Sequence, residues 1–169
     1  MKFNFDALID RRNTNSMKWN VKEDEIAMWV ADMDFQTAPC VQQAIQKKAT
    51  LGIYGYSELP EAYFTSYQQW WKQRHQFEID KDWMMFSSGV IPAISSIVRR
   101  MTSPAEKILV QSPVYNIFYN SILNNGREVI SSDIVYEDGT YHISFTDLER
   151  KLQDPQTTMM ILCNPHNPI

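Results

Sequence analysis

Between residues 82 and 162, short apolar runs alternate with stretches of helical period. This alternation narrows the folds open to the chain more than any other feature. Trp83-Met84-Met85-Phe86 is followed by a Ser87-Ser88-Gly89 break, then by Ile94, Ile97, Val98 and Met101, spaced i, i+3, i+4 and i+7 on one helix face. Ile108-Leu109-Val110 comes next, with a turn at Ser112-Pro113 and a helical stretch reaching Asn124-Asn125-Gly126, where the glycine suits a helix stop. Residues 129–135 read as a third strand, residues 145–152 as a short helix capped by Thr146, and residues 159–162 as a fourth strand. Strand, helix, strand, helix at this spacing requires parallel crossovers. The expected fold class is therefore α/β, with a parallel sheet covered on both faces.

Residues 1–80 lack that rhythm. Thr37-Ala38-Pro39 opens a helix with Val41, Ala44, Ile45 and Lys48 on one face, and Gly52 closes it. Residues 61–77 read as a second helix with Phe64, Tyr67 and Trp71 as its apolar stripe. The expected organisation is an N-terminal arm with helices over 1–80 and the first part of an α/β domain over 81–169. The last residues, Met159 to Ile169, place a Pro/Asn turn just past an apolar strand whose neighbours and covering helix are still to come. The reading is the front part of a longer protein.

Composition narrows the function classes. Sixteen Lys+Arg against 20 Asp+Glu give a net charge of -4 over 169 residues, which argues against nucleic acid as a partner. With 44% hydrophobic and 21% charged residues the chain is globular. The opening Met1-Lys2-Phe3-Asn4-Phe5-Asp6 lacks the apolar core of a secretory signal, and no window is apolar enough for a membrane span. Cys40 and Cys163 do not make a disulfide framework, so the expected setting is the cytoplasm.

In an open parallel sheet, ligands bind beyond the carboxyl ends of the strands. Three loops qualify. Ser87-Ser88-Gly89-Val90-Ile91 joins a strand to a helix, where free N–H groups favour an anion such as phosphate; it is equally an ordinary turn. Gln111-Ser112-Pro113-Val114-Tyr115 sets an aromatic ring past a strand end, either for a flat ligand or for the core. Asn164-Pro165-His166-Asn167-Pro168 offers amide side chains, or is simply a Pro/Asn turn. A GxGxxG fingerprint and a P-loop are both absent, which disfavours nicotinamide and nucleoside triphosphates. His75, His142 and His166 lack metal-ligand spacing, and Ser112 has no visible His/Asp support for a hydrolase triad. Asp32 and Asp34 stand inside the apolar run Trp29-Val30-Ala31-Asp32-Met33-Asp34-Phe35. They either cap the helix near Thr37 or edge a site, and structural roles are favoured for both.

Five motifs in order carry a resemblance: Ala31-Asp32-Met33-Asp34-Phe35 with Ala38-Pro39; Tyr54-Gly55-Tyr56; Ser88-Gly89-Val90-Ile91-Pro92-Ala93-Ile94; Ser112-Pro113-Val114-Tyr115 with Phe118-Tyr119; and Cys163-Asn164-Pro165-His166-Asn167-Pro168. Together they resemble the pyridoxal 5'-phosphate (PLP) C–S lyases of the MalY/PatB type, cystathionine β-lyases on the class I/II aminotransferase fold. The resemblance covers essentially the whole chain. It implies an incomplete parallel sheet of the aspartate aminotransferase-like large domain. It also implies that N–H groups of Val90 and Ile91, after Gly89, hold the cofactor phosphate, that Tyr115 stacks on the pyridine ring and that Asn167 bonds its 3-oxygen. Tyr56 would reach the phosphate of a neighbouring subunit in a homodimer, while Ala31 and Asp32 would line the substrate end. The implied reaction splits a sulfur amino acid into thiol, pyruvate and ammonia. An aminotransferase, and a regulatory interaction protein on the same fold, are the alternatives.

PLP enzymes also need a Schiff-base lysine and an acidic partner for the ring nitrogen. In this family both lie downstream, with the arginine for the substrate carboxylate. Lys2, Lys18, Lys22, Lys47, Lys48, Lys72, Lys81, Lys107 and Lys151 match no Schiff-base position, so residues 1–169 alone are expected to be inactive.

Overall fold

The computed structural model describes residues 3–169, so Met1 and Lys2 of the N-terminal reading lie outside the described residues. The chain forms two compact units, Met1–Pro60 and Glu61–Ile169, each described separately below.

Among its described residues the first unit carries one helix, α1 (Pro39–Leu51). Proline at its first position has no N–H to satisfy and a preset φ, so it starts the helix at little cost. Gly52 ends it with φ 68°, its N–H donating to Ala49 O at 3.1 Å. The other described residues of the unit are irregular and are tied by side chains, chiefly Arg11, Lys18 and Trp19 around Asp34. No carboxylate caps α1: its cap is Ala38, and Asp34 is engaged elsewhere. The capping alternative for the Asp32/Asp34 pair is thereby excluded.

The second unit begins with α2 (Glu61–His75) and a 3-10 turn (Lys81–Trp83) capped by Asp80, whose side chain accepts from Asp82 N. Next come α3 (Val90–Met101), β1 (Lys107–Val110), α4 (Ile117–Leu123) and β2 (Glu128–Ser131). They are followed by β3 (Ile134–Glu137), β4 (Thr140–Ile143), α5 (Phe145–Leu152) and β5 (Thr157–Met160). Three strands form a parallel sheet in the order β2-β1-β5, as the alternation of periods predicts. In β1, Ile108, Leu109 and Val110 are all fully buried, as a central parallel strand requires. Ile108 and Val110 pack with Val98 of α3, Val114, and Phe118 and Ile122 of α4.

Four expectations change. Residues 84–86 form no strand: Asp80 draws the preceding residues into the 3-10 turn, and no described strand offers 84–86 a ladder partner. The expected third strand is two. Parallel pairing with β1 ends at Ser131, and Ile134 starts an antiparallel hairpin with β4. Asp138 (φ 49°) and Gly139 (φ 80°) both take the left-handed conformation that a tight two-residue hairpin turn needs. The cap of α5 is Ser144 rather than Thr146, its side chain accepting from Asp147 N. On α3, Ile94 and Val98 face the core, while Ile97 and Met101 are exposed.

Arg127 locks α3 to the sheet. Its buried guanidinium donates to Thr102 Oγ1 at 2.9 Å and to the carbonyls of Thr102, Asn125 and Arg99. A cation there answers the unpaired carbonyls of a helix C-terminus. Arg127 immediately precedes β2, so the end of α3 lies at the amino edge of the sheet and its start at the carboxyl edge.

Ile108→Ala removes a fully buried side chain from the central strand and should cost about 2–5 kcal/mol, whereas Ile97→Ala on the exposed face of α3 should cost less than about 1 kcal/mol. Urea unfolding of both variants measures the difference; equal losses would contradict this assignment of the core.

Candidate functional site

The carboxyl edge of the second unit gathers three loops. The first is residues 87–91. Ser87 Oγ donates to Gly89 O at 2.9 Å, and Ala93 N closes the first helical bond to the same carbonyl at 3.2 Å. Pro92 has no N–H, so the unclaimed donors of the first turn are Val90 and Ile91, and no side chain caps them. Gly89 is extended, with φ 174°, and a Cβ there would meet Pro92 Cδ at an ordinary 3.5 Å. Neither backbone strain nor packing therefore requires glycine at this position. A groove of about 610 Å³ between α2 and this loop reaches Gly89 and Val90, with Tyr63 and Tyr67 on its other wall.

The second loop follows β1. Tyr115 is 41% exposed, and Phe118 braces its ring edge-on at a centroid distance of 5.9 Å. Ser112 Oγ lies 2.5 Å from both Tyr119 OH and Ser131 Oγ, and Ile134 N donates to Ser112 O at 2.7 Å. The third loop follows β5. His166 Nε2 donates to Pro113 O at 2.8 Å, joining the second and third loops directly. Asn167 beside it is exposed. The first loop belongs to the same edge because α3 runs back along the sheet from there.

Tyr56, Ala31 and Asp32 belong to the other unit. Tyr56 is fully exposed in the segment after α1. Asp32 pairs with Arg11 at 2.9 Å, and its carbonyl accepts from Lys18 Nζ at 2.6 Å. Asp34 takes Lys18 Nζ, Arg11 Nη1 and Trp19 Nε1, each at 2.7 Å. These bonds, Lys18's foremost and then Trp19's, hold the Asp34 carboxyl well below the usual carboxylate range despite partial desolvation. In the second unit, Lys151, Arg150 and Ser132 lower Asp147 to about 2. Neither carboxylate is poised for proton transfer near neutral pH. Among the described residues, no cluster of His, Cys, Asp and Glu could hold a metal ion, and no helix is long and apolar enough to cross a membrane.

The reading of the sequence passed over His166, Tyr119, Ser131 and Lys18 as working parts of these sites. His166 and Tyr119 sit inside quoted motifs, but their partners, Pro113 O and Ser112 Oγ, become visible only once β1, β2 and β5 are placed side by side.

The model of the family described as aminotransferase class I and II matches residues 23–169. The cystathionine beta-lyase PatB of Bacillus subtilis is 38% identical over 98% of this chain and 44% of its own length. A PLP-bound protein of Clostridium difficile 630 described as a candidate aminotransferase superposes with a TM-score of 0.91 at 39% identity, over 99% of this chain and 45% of its own. The PLP-bound C-S lyase of Staphylococcus hominis gives 0.88 at 31% identity, over 99% and 44%. The chain thus spans about 44% of the length of these relatives.

Asp34 also predicts a pH dependence. Its folded-state pKa lies below its unfolded one, so its stabilising contribution is fully present above about pH 4 and is lost as pH falls toward the folded value. Asp34→Asn should lower thermal stability at pH 7 and flatten the loss between about pH 5 and pH 2. Thermal melts across that range check it, and parallel curves for the two proteins would contradict it.

Proposed function

Because the chain belongs to the class I and II aminotransferase family, we propose that residues 1–169 form part of a PLP-dependent carbon–sulfur β-lyase. Its reaction would cleave cystathionine or cysteine S-conjugates to a thiol, pyruvate and ammonia. The observation that carries the reading is the uncapped start of α3. Two adjacent N–H donors, behind a glycine that the backbone does not itself need, lie on the same sheet edge as a half-exposed tyrosine and an exposed asparagine. That set fits the three chemical parts of PLP: an anion for the helix start, a flat ring for the tyrosine and a ring oxygen for the amide.

In this proposal Val90 and Ile91 donate their backbone N–H groups to the phosphate, where the α3 dipole also favours negative charge. Tyr115, braced by Phe118, presents its face to the ring and fixes the plane in which the substrate's Cα bonds must align. Asn167 donates its side-chain amide to the ring 3-oxygen, and the His166–Pro113 bond sets the spacing between Asn167 and Tyr115. Ala31 and Asp32 line the substrate end, and the pairing with Arg11 keeps Asp32 oriented. Tyr56 serves the phosphate of a second subunit in a homodimer of the cytoplasm. When bound, PLP supplies the electron sink that lets the Cα proton and then the β-sulfur leave. The Schiff-base lysine, the acidic partner of the ring nitrogen and the substrate-carboxylate arginine belong to the remainder of the protein. The relatedness to PatB and to the Staphylococcus hominis lyase supports elimination. The likeness to the Clostridium difficile protein favours transamination as the second reading.

The test is the visible absorption of the whole protein before and after L-cystathionine. A PLP band that shifts while pyruvate and thiol are released supports the lyase. A band that bleaches without thiol moves the assignment to an aminotransferase, and no band at all removes PLP.

Val90→Pro isolates the phosphate contact. Proline is tolerated at the first position of a helix, and the extended Gly89 before it is compatible. The variant should melt like the parent without cofactor yet bind PLP about 10-fold or more weakly, the size of one hydrogen bond to a charged group. Unchanged affinity in a fluorescence titration would show that this N–H does not touch the phosphate.

A further inference from the structure

Four side chains at the carboxyl edge form a hydrogen-bonded row outside the cofactor contacts proposed above. Tyr119 OH lies 2.5 Å from Ser112 Oγ, Ser112 Oγ lies 2.5 Å from Ser131 Oγ, and Ser131 Oγ donates to Asp133 Oδ1 at 2.8 Å. Each hydroxyl has a single hydrogen, and an ionised carboxylate only accepts. Since Ser131 spends its hydrogen on Asp133, Ser112 must donate to Ser131 and Tyr119 must donate to Ser112. The row therefore runs in one direction, from the tyrosine to the carboxylate, with no hydroxyl free to rotate. Its far end is fixed to the sheet, because the Ser131 carbonyl also accepts from Lys151 of α5.

The row closes a loop. Ser112 stands two residues past β1, and Tyr119 lies in the first turn of α4, packed against the core. Their hydrogen bond ties the base of residues 112–119, and the half-exposed ring of Tyr115 projects from within that loop. We infer that Tyr119, acting through Ser112, Ser131 and Asp133, is a positioning residue that sets the tilt of the Tyr115 ring and so the orientation of the aromatic cofactor stacked on it. This inference rests on the PLP reading. A phenylalanine at 119 keeps the ring and its packing and removes only the donor that closes the loop.

The experiment compares Tyr119→Phe and Ser112→Ala with the parent in the whole protein. It reads PLP affinity by fluorescence titration, the visible circular dichroism per bound cofactor, and the melting temperature without cofactor. The expected result is a loss of visible dichroism and an affinity about 5-fold weaker in each variant, the scale of one neutral hydrogen bond. The cofactor-free melt of Tyr119→Phe should stay close to the parent's. The double variant should be no worse than Ser112→Ala alone, since both cut the same bond. Parental dichroism and affinity in Tyr119→Phe would overturn the inference, as would an equal loss of cofactor-free stability that accounts for the whole effect. A parent protein with no PLP band would instead remove the cofactor reading on which the inference stands. If Ser112→Ala fails to fold, Tyr119→Phe still decides.

Discussion

The carboxyl edge exists because β1 is paired in parallel on both sides. Ile108, Leu109 and Val110 are fully buried, and β2 and β5 pair with opposite edges of this one strand. Parallel pairing forces every return through a crossover, so strand ends that are far apart in the chain emerge side by side. That is how Pro113 and His166, 53 residues apart, come into hydrogen-bond contact. Had β5 been antiparallel to β1, the second and third loops would lie at opposite ends of the sheet.

The polar contacts of the second unit divide between its two edges. At the amino edge, Arg127 closes the end of α3 with hydrogen bonds to backbone carbonyls, so the helix start at the opposite edge is where donors stay open. At the carboxyl edge, Lys151 and Asp147 of α5 hold the end of β2 through Ser131 and Ser132. Charged side chains bonded to carbonyls and hydroxyls thus fasten the elements behind the loops, while the loops themselves present backbone N–H groups, an aromatic face and an amide. Such groups bind without changing protonation, and they suit holding a cofactor whose own chemistry does the bond breaking. In the first unit the same economy holds around Asp34, whose depressed pKa marks a structural carboxylate rather than an acid–base catalyst.

Much of this was legible from residue order. Ile108-Leu109-Val110 announced a buried parallel strand, Pro39 and Gly52 bracketed α1, and the Tyr115 and Asn167 loops were each placed beyond a strand that forms. The strand readings that failed did so where a local signal competed with pairing. The Asp138-Gly139 turn was present in the sequence, yet the apolar run through Val135 read as one strand, because the break at Ser132-Asp133 depends on where β1 ends. Residues 84–86 are apolar enough for a strand, but strand formation needs a partner as well as composition. The roles of Tyr119 and Lys18 were out of reach for a related reason: each depends on a side chain brought close by packing, with no periodic signature of its own.

The most direct test of the proposed site is a crystal structure of the whole protein with PLP. The account predicts phosphate oxygens within hydrogen-bond distance of Val90 N and Ile91 N, with the pyridine ring stacked on Tyr115. A phosphate held by other groups, with those two N–H donors left to solvent, would contradict it.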